Sequence, residues 1–570
     1  MNPVHRVSFG LSAILVVLCC ITAFNDALAA AIDLPVRFDA AQLKLVESPE
    51  GVIYSLPGTQ NLRATGAPAL PYASWKVVLP QGKTLMEVEV QDAHWKRLTN
   101  RGQLARATKL MSDQGTSVSV SMGGLREDFQ DGGTFPSAAA RGQGFAVMEG
   151  YRVATVDVFP MRVLEDGTVE ILTRGQLHLV LADQAMDEVA EREVAWPGVA
   201  ERAAQRVRKL VVNPEQVDFC SPPAGIAPEL LKSFSNKAPS PLDQDEVFAG
   251  GRVDYVIITI PSLVSEFQRL ADDHIAHGLR AKVVTTDWIL DNYRHGVDLQ
   301  ETIRYFLKEA YAKWGLHYVL LGGDAAILPP RYVRSTFYPP GGHTDIPADL
   351  YFGALDGNWN ANGNGIFGEA YQSFLDPGDY QDMVAEVVVG RAPVNDLAEA
   401  TTFVDKCLEY QTPSNSSYLG KALFLSEVLF PSDWDGVSTI NLDGATYSEN
   451  IIFNSLITPG NLIDSERLYE NYTAYPYTLQ ETQQAALDSM STGHFGLVNH
   501  VGHGFYYNMS VGDKNIFAGD ALSLTNAPNY FVINALNCSS GAFDFDCLLE
   551  TYIQHPGGGS VASLGASREA

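Results

Sequence analysis

The sequence predicts an α/β protein with a β-rich front, and three observations support this fold class. Two-residue alternation of apolar and polar residues, typical of strands, dominates residues 30–181. From residue 254 onward strand-like and helix-like segments alternate, which favours a parallel sheet flanked by helices. Two apolar runs, 495–501 and 530–535, lead into small-residue turns that carry His503 and Cys538. Because such sheets bind ligands at the carboxyl ends of their strands, these turns are the first candidates for a functional site.

Length and composition restrict the class of protein. The chain has 570 residues, of which 46% are hydrophobic and 19% charged, so it is globular and long enough for several domains. Its net charge of −28 repels phosphate backbones, and nucleic acid is therefore not an expected partner.

The N-terminus predicts export. Residues 1–29 contain His5 and Arg6, an apolar run over 11–22 and the small-residue sequence Ala27-Leu28-Ala29, which together are typical of a cleaved signal peptide. The apolar run is shorter than the roughly 20 residues that a membrane span needs. We expect an extracellular or cell-surface protein with no membrane span in the mature chain.

The front is expected to form one β-rich domain over residues 30–232, followed by a linker over 233–252. Asp166-Gly167 is placed for a turn, and a helix is predicted over 199–212 between two proline-containing breaks. The linker is rich in Pro, Ser and Asp. The strand-like segments are 86–90, 146–158, 168–172 and 176–181.

Two α/β subdomains are predicted after the linker, over 253–415 and 416–570. Asp298 stands immediately before a helical run, where its side chain is suited to cap the first turn. The predicted helices cover 263–277, 299–314 and 397–410. The predicted strands cover 254–260, 281–286, 317–321, 384–389, 422–426, 495–501, 530–535 and 560–564.

The two reactive side chains near the end of the chain fit a cysteine hydrolase. A thiol attacks a carbonyl carbon as the thiolate, so it needs a neighbouring imidazole that takes its proton and later protonates the leaving amine. His503 and Cys538 fit these roles, and the backbone N–H groups of Gly504 and Cys538 are candidates for the oxyanion hole. The glycines on both sides of His503 are interpreted as giving a substrate backbone close access.

Other readings of these residues stay open. Each motif alone is better explained by a strand end or a buried small side chain, whereas their pairing at consecutive strand ends favours the catalytic interpretation. Cys538 has Cys547 nearby as a disulfide partner, and His500, His503 and Cys538 together are a candidate zinc set. Positions three apart in a strand point to opposite faces, which argues against zinc.

A second pattern predicts a calcium loop. With Asn358 as the first position, oxygen-bearing side chains, a glycine and a glutamate follow at the spacing of an EF-hand loop, although no flanking helices are evident. A plain Asn/Gly-rich turn explains the same residues equally well. The candidate ligands are Asn358, Asn360, Asn362, Asn364 and Glu369.

The reactive turns and several other phrases resemble the gingipain family of secreted cysteine peptidases, relatives of caspases and legumains. The resemblance covers residues from about 253 to the end, and the front, with its Ala67-Pro68-Ala69-Leu70-Pro71 phrase, looks like the family's propeptide. The phrases occur in the family's order: Tyr318-Val319-Leu320-Leu321-Gly322-Gly323-Asp324, Val389-Gly390-Arg391, Gly502-His503-Gly504 and Cys538-Ser539-Ser540-Gly541-Ala542-Phe543.

The resemblance implies a caspase-like α/β catalytic region that cleaves proteins or peptides through a thioester. It also implies synthesis as an inactive precursor, calcium binding and no organic cofactor. By the resemblance Cys538 is the nucleophile, His503 is the base and acid, and Glu427 matches the acidic residue that supports the histidine. Arginine-specific members place an aspartate where this chain has Ala445, with Asp443 nearby, so the resemblance does not extend to basic-residue specificity.

The sequence therefore predicts an exported precursor of a gingipain-type cysteine endopeptidase. Family members usually continue beyond the strand at 560–564, so the second subdomain is expected to be truncated. Two rival functions remain: a non-catalytic, calcium-stabilised surface or adhesion module of the same fold, and a sortase-like transpeptidase in which an amine intercepts the thioester.

Overall fold

The computed structural model describes most of the chain, in segments separated by gaps. The described residues are 31–48, 51–61, 67–98, 104–105, 110–111, 117–118, 133–184, 197–222, 251–293, 296–334, 345–355, 357–369, 379, 383–449 and 464–568. The predicted signal peptide and nearly all of the predicted linker lie outside them.

The front is built from antiparallel strands. The strands are β1 (Ala31–Arg37), β2 (Lys44–Ser48), β3 (Gly51–Ser55), β4 (Gln60–Asn61), β5 (Pro71–Leu79), β6 (Lys83–Arg97), β7 (Leu110–Met111), β8 (Ser117–Val118), β9 (Ala140–Met148), β10 (Tyr151–Val158), β11 (Met161–Val163) and β12 (Val169–Asp183). One four-stranded sheet has the order β1-β12-β11, with β6 also paired to β12, and a second has the order β4-β5-β10-β9. Apolar side chains from both sheets, including Val36, Val77, Val156 and Leu179, share one core, so the front is a β-sandwich.

Among the described residues, the helix α1 (Pro197–Leu210) contacts both the sandwich and the following α/β unit. Its Val207 packs against strands of the sandwich, while Ala200 packs against the core of the following α/β unit. Arg206 contacts the Glu149 carboxylate of the sandwich and lies 3.3 Å from His317 Nε2 of the α/β unit. The helix therefore touches both bodies.

The first α/β unit carries a parallel sheet of order β14-β13-β15-β18. Alternate residues of β13 face opposite sides: Val256 and Ile258 join a core with α4, and Ile257 joins a core with α2 and α6. The elements are β13 (Tyr255–Thr259), α2 (Val264–Ala276), β14 (Ala281–Thr285), α3 (Thr286–Asn292), α4 (Leu299–Trp314), β15 (Tyr318–Gly322), β16 (Arg331–Arg334), β17 (Asp345–Ala348), α5 (Leu350–Gly353), β18 (Val388–Ala392) and α6 (Leu397–Gln411).

The second α/β unit carries a six-stranded parallel sheet of order β23-β22-β19-β24-β28-β29. The elements are β19 (Lys421–Ser426), β20 (Val428–Phe430), β21 (Leu442–Asp443), α7 (Gly444–Tyr447), β22 (Asp464–Tyr469), β23 (Leu479–Gln480), α8 (Gln483–Thr492), β24 (Leu497–Val501), β25 (Gly504–Phe505), β26 (Asn508–Val511), β27 (Lys514–Phe517), α9 (Ala518–Ala521), β28 (Phe531–Leu536), α10 (Leu548–Gln554) and β29 (Ser560–Gly565). One sheet face packs its Leu425, Val498 and Ile533 against Met490 of α8 and Tyr552 of α10.

The predicted fold class is confirmed: parallel sheets flanked by helices follow a β-rich front. Asp298 caps α4 as predicted, since its carboxylate accepts the N–H of Glu301 at 2.9 Å. Within the described residues no helix is both long and apolar enough to cross a membrane.

Several predicted strands are wrong in their bounds. The strands predicted over 168–172 and 176–181 form one continuous strand, β12. The run predicted over 146–158 is a hairpin of β9 and β10, because Glu149 and Gly150 both adopt positive φ and reverse the chain. The strand predicted over 384–389 begins only at Val388. Glu386 is used elsewhere, since its N–H donates to Gly353 and its carboxylate accepts the N–H of Leu355.

Candidate active site

Three neighbouring strands of the second sheet each end next to one of the candidate catalytic residues. Glu427 directly follows β19, His503 comes two residues after β24, and Cys538 comes two residues after β28. These strands are adjacent and parallel, so their carboxyl ends lie at one edge of the sheet. Main-chain bonds hold the ends in register, from Glu427 N–H to the Val501 carbonyl and from Gly502 N–H to the Leu536 carbonyl.

The His503 ring has a defined acceptor. Its Nε2 lies 2.8 Å from the carbonyl oxygen of Leu429, and its ring meets Phe430 edge-on at 5.9 Å. A carbonyl oxygen only accepts hydrogen bonds, so Nε2 carries a proton. In the neutral imidazole Nδ1 is therefore the basic nitrogen, and the Leu429 carbonyl is placed to stabilise the ring when it becomes doubly protonated.

Glu427 contacts the main chain of the histidine turn. Its carboxylate, in a residue only 4% exposed, accepts the His503 N–H at 2.8 Å and the Gly512 N–H at 3.2 Å. Burial raises the pKa of Glu427 above its usual value, while hydrogen bonds from Ser510 and His503 oppose that rise. The carboxylate thus holds the backbone of the His503 turn.

The glycines beside His503 are required by the protein's own packing. A Cβ at Gly502 would lie 2.6 Å from the Glu427 carboxylate and 2.7 Å from His500 Nε2. A Cβ at Gly504 would lie 2.6 Å from the Asn537 amide nitrogen. Substrate access, the interpretation drawn from the sequence, is therefore not needed to explain them, and Gly504 lies against the residue that precedes Cys538.

A buried polar network links the histidine strand to the cysteine turn. His500 is fully buried, and its Nε2 donates to the Ser510 carbonyl at 2.6 Å. Its Nδ1 accepts from the Asn537 amide at 3.4 Å, and the Asn537 oxygen accepts the Ser540 hydroxyl at 2.5 Å. Burial lowers the pKa of His500 to about 4, so this ring is neutral and structural at neutral pH.

The cysteine turn has an unusual backbone. Ser539 adopts φ +58°, a left-handed conformation that is uncommon for a residue with a side chain. The Ser539 N–H donates to the Arg568 carbonyl at 2.7 Å, and the Gly541 N–H donates to the Ala566 carbonyl at 3.0 Å. The segment after β29 therefore supports the turn that carries Cys538.

Two further glutamates follow the next two strands of the sheet, on the side of β19 that is away from Cys538. Glu470 follows β22 and accepts the Val428 N–H at 2.8 Å, while Glu481 follows β23 and is 1% exposed. Burial, with the charges of Glu427 and Glu470, raises the pKa of Glu481 well above its usual value. Glu481 therefore takes up a proton more readily than an exposed glutamate does.

The disulfide and zinc alternatives both fail on the structure. Cys220, Cys407, Cys538 and Cys547 are all thiols, so the pairing of Cys538 with Cys547 is absent. His500 has both ring nitrogens engaged by protein groups, so it has no nitrogen left to bind zinc. Across the described residues no three His, Cys, Asp or Glu side chains are grouped to hold a metal.

The positions associated with arginine specificity serve structural purposes. Ala445 is fully buried in α7. The Asp443 carboxylate caps this helix at the Ala445 N–H and accepts hydrogen bonds from Asn471 and Tyr475, each at 3.0 Å. Asp443 is therefore already satisfied by protein donors. Residues 450–452 of the associated phrase lie outside the described residues.

The candidate calcium loop surrounds a buried carboxylate. Glu369 is 4% exposed, and one of its oxygens accepts from the side-chain amides of Asn362, at 3.2 Å, and Asn364, at 2.6 Å. The amide oxygens of Asn358 and Asn360 accept backbone N–H groups within the loop. All five candidate residues thus lie in one loop, with the carboxylate of Glu369 facing the asparagine side chains.

Several residues of this site carry no signal in the sequence. The Leu429 carbonyl is a main-chain group that any residue supplies, so only the fold identifies it. The Asn537 and Ser540 pair flanks Cys538 and was detectable only by proximity in sequence. Arg568 is distant in sequence from the turn it supports.

Comparisons with known proteins identify a matching family and similar chains. The sequence profile described as peptidase family C25 matches residues 249–570. An uncharacterized protein of Archaeoglobus fulgidus is 21% identical over 323 residues, covering 51% of this chain and 66% of that protein.

Two solved structures are also similar. The Arg-specific cysteine proteinase gingipain R is 21% identical with a TM-score of 0.40, covering 58% of this chain and 65% of that chain. A complex of Porphyromonas gingivalis RgpB pro- and mature domains is 22% identical with a TM-score of 0.40, covering 55% and 64%. This chain thus spans slightly less than two thirds of each of these relatives.

Proposed function

This chain belongs to peptidase family C25, the gingipain family of cysteine peptidases, and from that premise we propose that it is an endopeptidase that acts through a thioester on Cys538. One observation carries the proposal: Glu427, His503 and Cys538 follow three adjacent parallel strands at the same edge of the sheet. Protein or peptide chains are the substrates.

The proposed reaction begins with proton transfer from the Cys538 thiol to Nδ1 of His503. The thiolate attacks the scissile carbonyl carbon, and the N–H groups of Gly504 and Cys538 stabilise the oxyanion. Collapse of this intermediate breaks the C–N bond, and the imidazolium gives its proton to the leaving amine. Water, deprotonated by His503, then hydrolyses the thioester and restores the thiol.

Contacts within the protein support these roles for His503. The Leu429 carbonyl accepts from Nε2 at 2.8 Å, which orients the ring and favours the doubly protonated form during the reaction. Glu427 fixes the main chain of the same residue at 2.8 Å. Glu427 therefore serves as a positioning residue for the base.

Thiol modification tests the proposal. Burial raises the pKa of Cys220 to about 11 and that of Cys407 to about 12, and also raises that of Cys547, so Cys538 should react first with iodoacetamide. We expect cleavage of a denatured protein to disappear in parallel with modification of Cys538. Cys538→Ala should be inactive, whereas the matched control Cys407→Ala should retain activity.

The same assay separates the rival functions. Cleavage that survives complete modification of Cys538 would rule out the thioester mechanism. A folded wild-type chain that never cleaves would favour the non-catalytic module. If an added primary amine appears in the product mass in place of water, the chain is a transpeptidase of the sortase kind.

We also propose that the chain is made as an exported precursor whose front, residues 30–232, is a propeptide joined through the linker 233–252. The contacts of α1 with both bodies support a front that folds against the catalytic region before it is removed. N-terminal sequencing of the secreted protein would locate the cuts, and a product that begins before the sandwich and never loses it would contradict the proposal.

Calcium is proposed as a structural ion in the loop of Asn358, Asn360, Asn362, Asn364 and Glu369. The residues fit such an ion because Glu369 supplies a buried negative charge and the asparagines supply amide oxygens. The side-chain amides of Asn362 and Asn364 donate to Glu369, while their oxygens accept the N–H groups of Asn364 and Ile366, so calcium would replace some of these hydrogen bonds with direct oxygen ligation. Calcium would neutralise the carboxylate and hold the loop together.

A further inference from the structure

The loop that follows Cys538 is held at both ends by one distant residue. At its start, the Ser539 N–H donates to the main-chain carbonyl of Arg568 at 2.7 Å. Near its end, the Asp544 carboxylate accepts two hydrogen bonds from the Arg568 guanidinium, at 2.9 and 2.7 Å. The main chain and the side chain of Arg568 thus bond to the two ends of the loop that follows Cys538.

The Asp544–Arg568 pair is well shielded and further anchored. The two side chains are 5% and 15% exposed. The guanidinium also donates to the Asp345 carbonyl of β17 at 2.8 Å and lies over the Phe545 ring at 5.8 Å. Because β17 belongs to the first α/β unit, Arg568 also links the loop to that unit.

Ser539 needs such support. Its φ of +58° places it in the left-handed region, which is unfavourable for a residue with a side chain. This conformation sets the direction in which the chain leaves Cys538. A backbone free to relax there would move the sulfur.

We propose that Arg568 and Asp544 are positioning residues for the Cys538 nucleophile. The pair keeps Ser539 in its left-handed conformation and so fixes the sulfur relative to His503. This inference rests on the proposed role of Cys538, and it goes beyond that role by naming the contacts that set the geometry. A displacement of about 1 Å at a reacting atom lowers the rate by about a hundredfold.

The test compares Arg568→Gln with the wild-type full chain. We expect kcat to fall about tenfold to a hundredfold with KM little changed, because the groups that bind substrate stay in place. The pH midpoint of Cys538 alkylation by iodoacetamide should rise toward that of an ordinary thiol, about 8.5, as the sulfur moves away from the imidazole. This midpoint is independent of turnover and is not shifted by a loss of stability alone.

Additional variants keep the test decisive. Arg568→Lys retains the charge without the paired hydrogen bonds, so it should be intermediate. The exchange Asp544→Arg with Arg568→Asp should recover part of kcat and lower the alkylation midpoint again. Arg334→Gln is the matched control, since Arg334 pairs with the Asp345 side chain at 3.1 Å and makes no bond to the Cys538 loop.

Two outcomes are kept apart by design. If the pH midpoint of Cys538 alkylation in the wild type equals that of an ordinary thiol, Cys538 is not activated and the proposed function is contradicted. A lowered wild-type midpoint that Arg568→Gln and Arg568→Lys leave unchanged, together with an unchanged kcat, would overturn the positioning role alone.

Discussion

At the residue scale, the carboxyl group of Glu427 makes the support of the His503 turn depend on pH. It is 4% exposed and accepts the main-chain N–H of His503. Burial raises its pKa above the usual value, so this group takes up a proton at a higher pH than an exposed glutamate does. Protonation weakens its hydrogen bonds to N–H donors, and the turn then loses its support.

Replacement of Glu427 by glutamine tests this role. The N–H groups of His503 and Gly512 bond to different oxygens of the Glu427 carboxylate, so a glutamine amide in either orientation places its NH2 group against one of these donors. We therefore expect kcat to fall about tenfold or more. The raised pKa predicts a loss of wild-type activity on acidification above pH 4.5, as Glu427 becomes protonated. In Glu427→Gln the contribution of Glu427 to that acidic limb should be lost, so the midpoint of the limb should shift.

The matched control is Glu470→Gln on the next strand. Glu470 has a raised pKa caused first by burial, but it bonds the Val428 N–H and makes no hydrogen bond to His503. This variant should keep the acidic limb and most of the activity. An unchanged limb in Glu427→Gln would assign the effect to another group.

At the element scale, the sequence predicted the strands and helices whose patterns are local. The α4 helix has the predicted bounds, because Asp298 caps its start and Gly315 adopts the left-handed conformation that ends it. β22 was missed because its sequence Asp464–Tyr469 is mostly polar and its place in the sheet is set by pairing with β19. Register and turn geometry depend on such distant partners.

The same distinction applies to the site. The sequence pointed to His503 and Cys538 as candidates because glycines and small residues mark their turns, and the structure places both at the ends of neighbouring strands. The Leu429 carbonyl and the Arg568 contact were not found, because neither has a side-chain pattern near the residue it supports. Local sequence patterns indicate candidate reactive groups, whereas only the fold shows which distant groups contact them.

The calcium loop provides a prediction at this scale. If the ion binds, chelation with EGTA should lower the melting temperature of the full chain, and added calcium should restore it. Glu369→Gln removes the buried charge and should make the melting temperature insensitive to both treatments. Asp166→Asn, in an exposed front turn, should leave the response intact. A melting temperature that never responds to calcium would argue for a plain Asn/Gly turn.

At the scale of the whole molecule, Lys406 joins the two α/β units. It lies on α6 of the first unit, is 2% exposed and donates to carbonyls of the second unit: Tyr552 at 2.9 Å, Gly558 at 2.7 Å and Ser560 at 3.3 Å. These carbonyls belong to α10 and to the start of β29 and its preceding loop. Since α10 directly follows the Cys538 loop in sequence, this contact fixes the second unit on the first unit close to that loop.

Burial of the Lys406 ammonium group makes its contribution to the free energy of unfolding depend on pH. Burial lowers the pKa of Lys406 to about 7, so between pH 7 and its usual value of 10.5 the folded chain binds fewer protons at this group than the unfolded chain. The contribution of Lys406 to the free energy of unfolding therefore increases with pH across that window, by up to about 1.4 kcal/mol per pH unit. Below pH 7 both states are protonated and the contribution is constant.

Lys406→Met tests both the contact and its sign. The variant leaves three buried carbonyls without their donor and should lower the free energy of unfolding at pH 8 by about 2–4 kcal/mol. Chemical denaturation at pH 6, 7.5 and 9 should give a difference between wild type and variant that grows with pH. Lys514→Met, at an exposed position of β27, should give no difference. A constant difference across the three pH values would mean that Lys406 keeps an ordinary pKa and that the interface tolerates its charge.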